Sequence, residues 1–127
     1  MNMEIPTNLK YAQTHEWARV EGDVVVVGIT DFAQKQLGDI VFIELPAIGK
    51  KVKQAENLGT SESAKSVGEL LSPVSGEVIE VNKAVEGDPA VVNSAPYENG
   101  WLVKLKVGNA ADLDKLLTPA QYAEIAK

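Results

Sequence analysis

The run Val24-Val25-Val26-Val27-Gly28-Ile29 constrains this chain most. Consecutive β-branched residues lose rotamer freedom in a helix and pack well on a pleated surface, so the run predicts a strand. It follows the turn pair Glu21-Gly22, which makes residues 17–20 the first arm of a hairpin. Short strands of the same kind recur. Residues 40–45 alternate and stop at Pro46, while residues 57–62, 69–72, 77–81 and 101–107 carry further strand signals.

Helical signals are few. Asp31 is placed to cap a short helix through Phe32 and Gln36, with Gln34 reaching back and Gly38 ending it. Asn109 can cap a second over residues 110–116. Thr118-Pro119-Ala120-Gln121 supplies a Thr cap, a first-position proline and a third-position Gln for another. The expected fold is therefore mainly β: a flattened antiparallel β-barrel or sandwich with a short internal helix and C-terminal helices. One domain spans 1–127, with an N-terminal segment at 1–10 and a C-terminal helical segment at 109–127. A weak internal echo links residues 43–52 to residues 79–91, each reading strand, turn, glycine and a resumed strand. It puts Lys65 on the connection between two similar halves.

Composition removes several function classes. The chain has no cysteine and a single histidine, His15, which excludes thiol catalysis, thiolate metal sites and two-histidine centres. Arg19 is the only arginine, and the formal net charge is -6, so neither nucleic acid nor an anionic membrane is an expected partner. No nucleophile–base pair and no phosphate loop are present, so neither catalytic nor metal-ligating residues are assigned. MNMEIPTNLK reads as neither leader nor transit sequence, which gives a cytoplasmic expectation. His15 is expected to be a structural hydrogen-bonder, Trp17 and Trp101 to pack, and Gly76 and Gly100 to meet backbone requirements in turns.

One stretch asks for more. Glu62-Ser63-Ala64-Lys65-Ser66-Val67 places one lysine among small residues between two strands. Most surface lysines serve only solubility. A lysine that must enter another enzyme's active site needs this setting: an exposed turn, small neighbours and rigid flanking strands.

Wider blocks decide between these. Thr14-His15-Glu16-Trp17, Gly28-Ile29-Thr30-Asp31-Phe32-Ala33, Leu37-Gly38-Asp39-Ile40, Glu62-Ser63-Ala64-Lys65 and Ser72-Pro73-Val74-Ser75-Gly76-Glu77-Val78 occur in that order. Asn82, Pro89, Val92-Asn93, Pro96-Tyr97 and Gly100-Trp101 follow. Together they resemble the glycine cleavage H-protein family, a relative of lipoyl and biotinyl carrier domains with a barrel-sandwich hybrid fold. Alanine stands at position 64, where the family usually has valine.

The resemblance implies a carrier rather than an enzyme. Lipoate would be attached covalently at Lys65, with Glu62 and Gly76 read during lipoylation. Implied partners are a pyridoxal-phosphate-dependent glycine decarboxylase, a tetrahydrofolate-dependent aminomethyltransferase, dihydrolipoyl dehydrogenase and the lipoyl-attaching enzymes. The aminomethyl group would travel on the arm, and the carrier would be a monomer. The Asp-Lys-Ala of 2-oxoacid dehydrogenase lipoyl domains and the Met-Lys-Met of biotinyl domains are both absent at this tip. Two alternatives stay open: an H-like protein relaying lipoyl groups to 2-oxoacid dehydrogenase complexes, and an unmodified protein-interaction module.

Overall fold

In the computed structural model, which describes residues 4–126, the valine run is strand β3, Val24–Ile29, and it is covered on both faces. Val25, Val27 and Ile29 enter one apolar cluster with Ile40, Ile43, Leu58, Leu70, Val78 and Leu105. Val26 points the other way, among Tyr11, Trp17, Phe32, Tyr97 and Tyr122. A strand with both faces buried has no polar alternation to show, which is why the run is continuously apolar. Gly28 belongs to the second face, where a Cβ would stand 2.6 Å from the Trp17 indole. The missing side chain is what lets the tryptophan in.

Around β3 are β1 (Lys10–Tyr11), β2 (Glu16–Glu21), β5 (Lys51–Val52), β8 (Gly76–Val81) and β9 (Val103–Val107). They form a six-stranded sheet in the order β1-β2-β3-β9-β8-β5. A second sheet of three strands takes the order β4 (Ile40–Glu44), β6 (Asn57–Ser63), β7 (Val67–Leu71). Every pairing is antiparallel. The first cluster fills the space between the two sheets, so the mainly β sandwich expectation holds.

Helix α1, Asp31–Leu37, differs in one detail from its sequence signal. Thr30, not Asp31, is the N-cap, its hydroxyl accepting from the Ala33 N–H at 3.2 Å. Asp31 lies in the first turn, where it accepts from Gln34 Nε2 at 2.7 Å and pairs with Lys35 at 3.2 Å. Both residue types cap well; Thr30 is the fully buried one, and Asp31 is better placed to answer Lys35.

The internal echo fails in its second copy. The first copy runs β4, turn, Gly49, β5, as expected. After β8 the chain instead forms α2 (Lys83–Gly87) and α3 (Ala90–Ser94), with Val85 and Val92 buried. Helices of five residues are too short to display a helical period, so their sequence resembled a resumed strand. The strand signal at 101–107 likewise begins only at Val103.

The tail folds back over β1 and β2. Asn109 caps a 3-10 turn, Ala110–Lys115, and Thr118 caps helix α4, Pro119–Ile125, with the reciprocal Gln121 bond of a capping box. Tyr122 of α4 stacks on Tyr11 with ring centroids 4.6 Å apart. The outermost residues of the 1–10 and 109–127 segments, 1–3 and 127, lie outside the described residues. No helix among the described residues is long and apolar enough to cross a membrane.

Candidate functional site

Lys65 sits in the turn between β6 and β7, and Ser63 builds that turn. Its N–H donates to Ser66 O at 2.8 Å, and its hydroxyl oxygen accepts from the N–H groups of Lys65 at 3.3 Å and Ser66 at 3.1 Å. A serine at the strand end thus fixes the tip without a glycine. Ala64, Lys65 and Ser66 are exposed, and among the described residues no acid pairs with the Lys65 ammonium.

The lysine stem rests on Gly38. A Cβ there would lie 3.0 Å from Lys65 Cε and 3.6 Å from Nζ, and the backbone stands at φ +81°, a region L side chains rarely adopt. Asn93 of α3 holds this stretch from behind. Its amide nitrogen donates to Gly38 O and Gln34 Oε1, both at 2.9 Å, and its oxygen accepts from the Ile40 N–H at 2.9 Å. The end of α1 is thereby a fixed seat for the side chain, and its carbonyl pole suits a cation. The sequence marked Gly38 only as a helix stop; its contact with Lys65 joins positions far apart in the chain.

Beside the turn opens a cleft of about 210 Å³. Ala33 and Leu37 of α1, with Ile29 and Leu70, give it apolar walls; Thr14, Glu16 and Ser61 give it polar ones. Glu16 is 2% exposed, accepts from the Thr14 hydroxyl, and accepts from the Leu71 N–H at 3.2 Å. Burial pushes its carboxyl up to about 7, against the opposing pull of those two hydrogen bonds. Sequence reasoning missed Glu16 as a site group. The available signal was a carboxylate immediately before Trp17, at the start of a strand whose first three residues are buried.

The remaining expected residues fall elsewhere. Glu62 pairs in register with Phe42 on one side and Val67 on the other, half-buried on the outer face of the small sheet and without an ion pair among the described residues. Gly76 is a strand residue rather than a turn residue: it opens β8, and a Cβ on it would stand 2.4 Å from Lys106 O, so β9 approaches closely. It lies past the far end of β7, roughly 17 Å of strand from the Lys65 turn. It also borders a groove of about 500 Å³ lined by Lys51, Ser75 and Lys106. That groove is larger than the cleft but does not reach the lysine.

His15 donates to or accepts from Tyr122 Oη at 2.8 Å, the structural role expected of it, and burial lowers its pKa. Trp17 is fully buried and its indole N–H donates to Pro96 O at 2.9 Å. Trp101 packs half-buried at the edge of the same cluster. A Cβ on Gly100 would stand 2.6 Å from Ala95 O, so that glycine serves a close backbone approach.

An exposed lysine on a rigid tip, a backbone seat beneath it and a small mixed cleft alongside are what a tethered cofactor arm requires, and the comparisons with known proteins agree. The family model described as Glycine cleavage H-protein matches residues 9–127. Proteins named glycine cleavage system H protein from Bacillus mycoides (strain KBAB4) and Bacillus cereus (strain AH187) are each 50% identical over 123 residues, covering 97% of this chain and 97% of theirs. The crystal structure of a glycine cleavage system H protein from Mycobacterium marinum superposes with a TM-score of 0.87 at 40% identity, covering 94% of this chain and 97% of that one. The chain belongs to the glycine cleavage H-protein family, whose members are lipoyl carriers.

Proposed function

We propose that Lys65 is the lipoylated residue and that the chain is the mobile, non-catalytic carrier of the glycine cleavage system. In this reading it meets the pyridoxal-phosphate-dependent decarboxylase, then the tetrahydrofolate-dependent aminomethyltransferase, then dihydrolipoyl dehydrogenase, in the cytoplasm of a bacterium. The observation that carries it is the exposed Lys65 amine, unpaired among the described residues and seated on Gly38 between small neighbours.

The residues fit the group. Ala64 and Ser66 leave Nζ approachable, and the adjoining cleft offers apolar walls to an alkyl chain and the Glu16 carboxyl to an amine. Once amide-linked, lipoate supplies the disulfide–dithiol chemistry and cargo attachment that a cysteine-free chain lacks. The protein's own contributions are positional. Ser63 locks the tip, Asn93 and Gly38 orient the stem, and Leu37 and Leu70 exclude water from one side of the cleft. Glu16 makes the cleft hospitable to a cation once it is ionised. Glu62 and Gly76 belong to recognition during lipoylation, Glu62 as a group beside the tip and Gly76 through the close β8–β9 contact that sets the strand frame.

The test is reconstitution with the partner enzymes. Lys65→Ala should abolish glycine cleavage while leaving the circular dichroism spectrum and melting temperature of the unmodified chain unchanged. Activity that survives the substitution would refute the assignment.

A further inference from the structure

Behind the Lys65 turn, the small sheet presents an apolar surface that the carrier chemistry leaves unused. Register aligns Phe42, Glu62 and Val67 across β4, β6 and β7 in the last full row before the turn. The next outward row is Glu44, Thr60 and Glu69. A bulge between Ile40 and Phe42 inserts Val41 and turns two successive apolar residues outward. Val41, Phe42 and Val67 are 62%, 49% and 65% exposed, while Ile43 and Ser61 of the intervening row are buried. The result is an apolar patch beside Glu44, Glu62 and Glu69, with no lysine or arginine in either row. Exposed apolar groups clustered this way, with charge of one sign, mark an interaction face.

Resting on the reading of Lys65 as the lipoyl site, we infer that this patch docks the enzyme that acylates Lys65, through an apolar contact surface flanked by basic side chains. Geometry selects that partner over those that use the finished arm. A long flexible arm lets later enzymes react at a distance from the sheet, whereas the acylating enzyme must bring its reacting carbonyl to Nζ itself. The row Phe42–Glu62–Val67 borders the turn, so an enzyme closing on Nζ covers it. In the step served, the neutral Lys65 amine attacks the carbonyl carbon of an acyl adenylate. The N–C bond forms as the acyl–phosphate C–O bond breaks, the nucleotide leaves as its monophosphate, and the amine proton passes to solvent.

The test measures lipoylation of the full chain by purified lipoate–protein ligase with lipoate and Mg-ATP. Phe42→Thr/Val67→Thr keeps strand-forming residues and removes both apolar side chains from the row that borders the turn. Ile48→Thr is the control: Ile48 is equally exposed, at 61%, in the turn past the other end of β4. The double variant should lose at least about tenfold in kcat/KM, mainly through KM, with the control within twofold of the parent. Once lipoylated by long incubation, it should serve the glycine decarboxylase as the parent does. Equal kcat/KM for double variant and parent overturns the docking surface while leaving the carrier reading intact. A parent chain that stays bare at Lys65 overturns both. An unchanged kcat/KM accompanied by lost decarboxylase turnover, or by loss of a self-association seen in sedimentation, assigns the patch to another occupant and likewise overturns the inference.

Discussion

Gly38 carries two constraints at once: a backbone angle of φ +81° and the weight of the Lys65 stem. Gly22 shares the positive angle, at φ +68°, but a Cβ there would meet nothing within 4 Å. The pair therefore separates backbone strain from seating. Gly22→Ala should cost about 1 kcal/mol in urea unfolding. Gly38→Ala should cost about 1–3 kcal/mol and also alter the NMR relaxation of the Lys65 side chain, which Gly22→Ala should not. Glu16 gives a second residue-scale test. Its folded pKa, about 7, lies above the ordinary carboxylate value of 4.5, so the folded state holds the proton more tightly than the unfolded state does. Stability from this group is full below the unfolded value and is lost as pH rises toward 7 and beyond. Relative to Glu16→Gln, which keeps an acceptor for Leu71 and has no charge to bury, the parent should lose up to about 3 kcal/mol between pH 4 and pH 8. Urea titrations at several pH values would show it, and parallel profiles would contradict it.

At the scale of elements, α4 is tied to the site by one hydroxyl. Tyr122 Oη lies 2.8 Å from His15 Nδ1 and 2.7 Å from the Thr30 hydroxyl that caps α1, and both His15 and α1 border the cleft. Tyr122→Phe keeps the stack on Tyr11 and leaves buried Thr30 and half-buried His15 each short of a bond. A loss of about 1–3 kcal/mol is expected, with faster amide hydrogen exchange in α1 than in β8 and β9. Uniformly unchanged exchange would dissociate α4 from the cleft. Elements were legible where local chemistry was strong. The β-branched run gave β3, and Thr118, Pro119 and Gln121 gave the start of α4, because propensity and capping act over a few residues. The two-residue strands β1 and β5 carry no period to read, and their existence depends on partners distant in the chain. Helices α2 and α3 were hidden by their shortness and by buried valines that suit either structure.

Across the whole molecule, the three-stranded sheet holds a lysine at its tip while the six-stranded sheet and the tail brace the wall opposite. The tip was legible in the sequence because its parts are contiguous, Glu62 through Val67. The cleft was not, because it joins residues 14–16, 33–37 and 66–70, which only folding brings together. In the sequence Asn93 is one short block among several, yet its three hydrogen bonds are what make Gly38 a seat. The central claim is that the single amine of Lys65 receives the cofactor, and the most direct measurement is peptide-resolved mass spectrometry after incubation with lipoate–protein ligase, lipoate and Mg-ATP. One lipoyl adduct, on the peptide containing Lys65 and absent from Lys65→Ala, is the expected result. A bare Lys65, or an adduct on a different lysine, would contradict it.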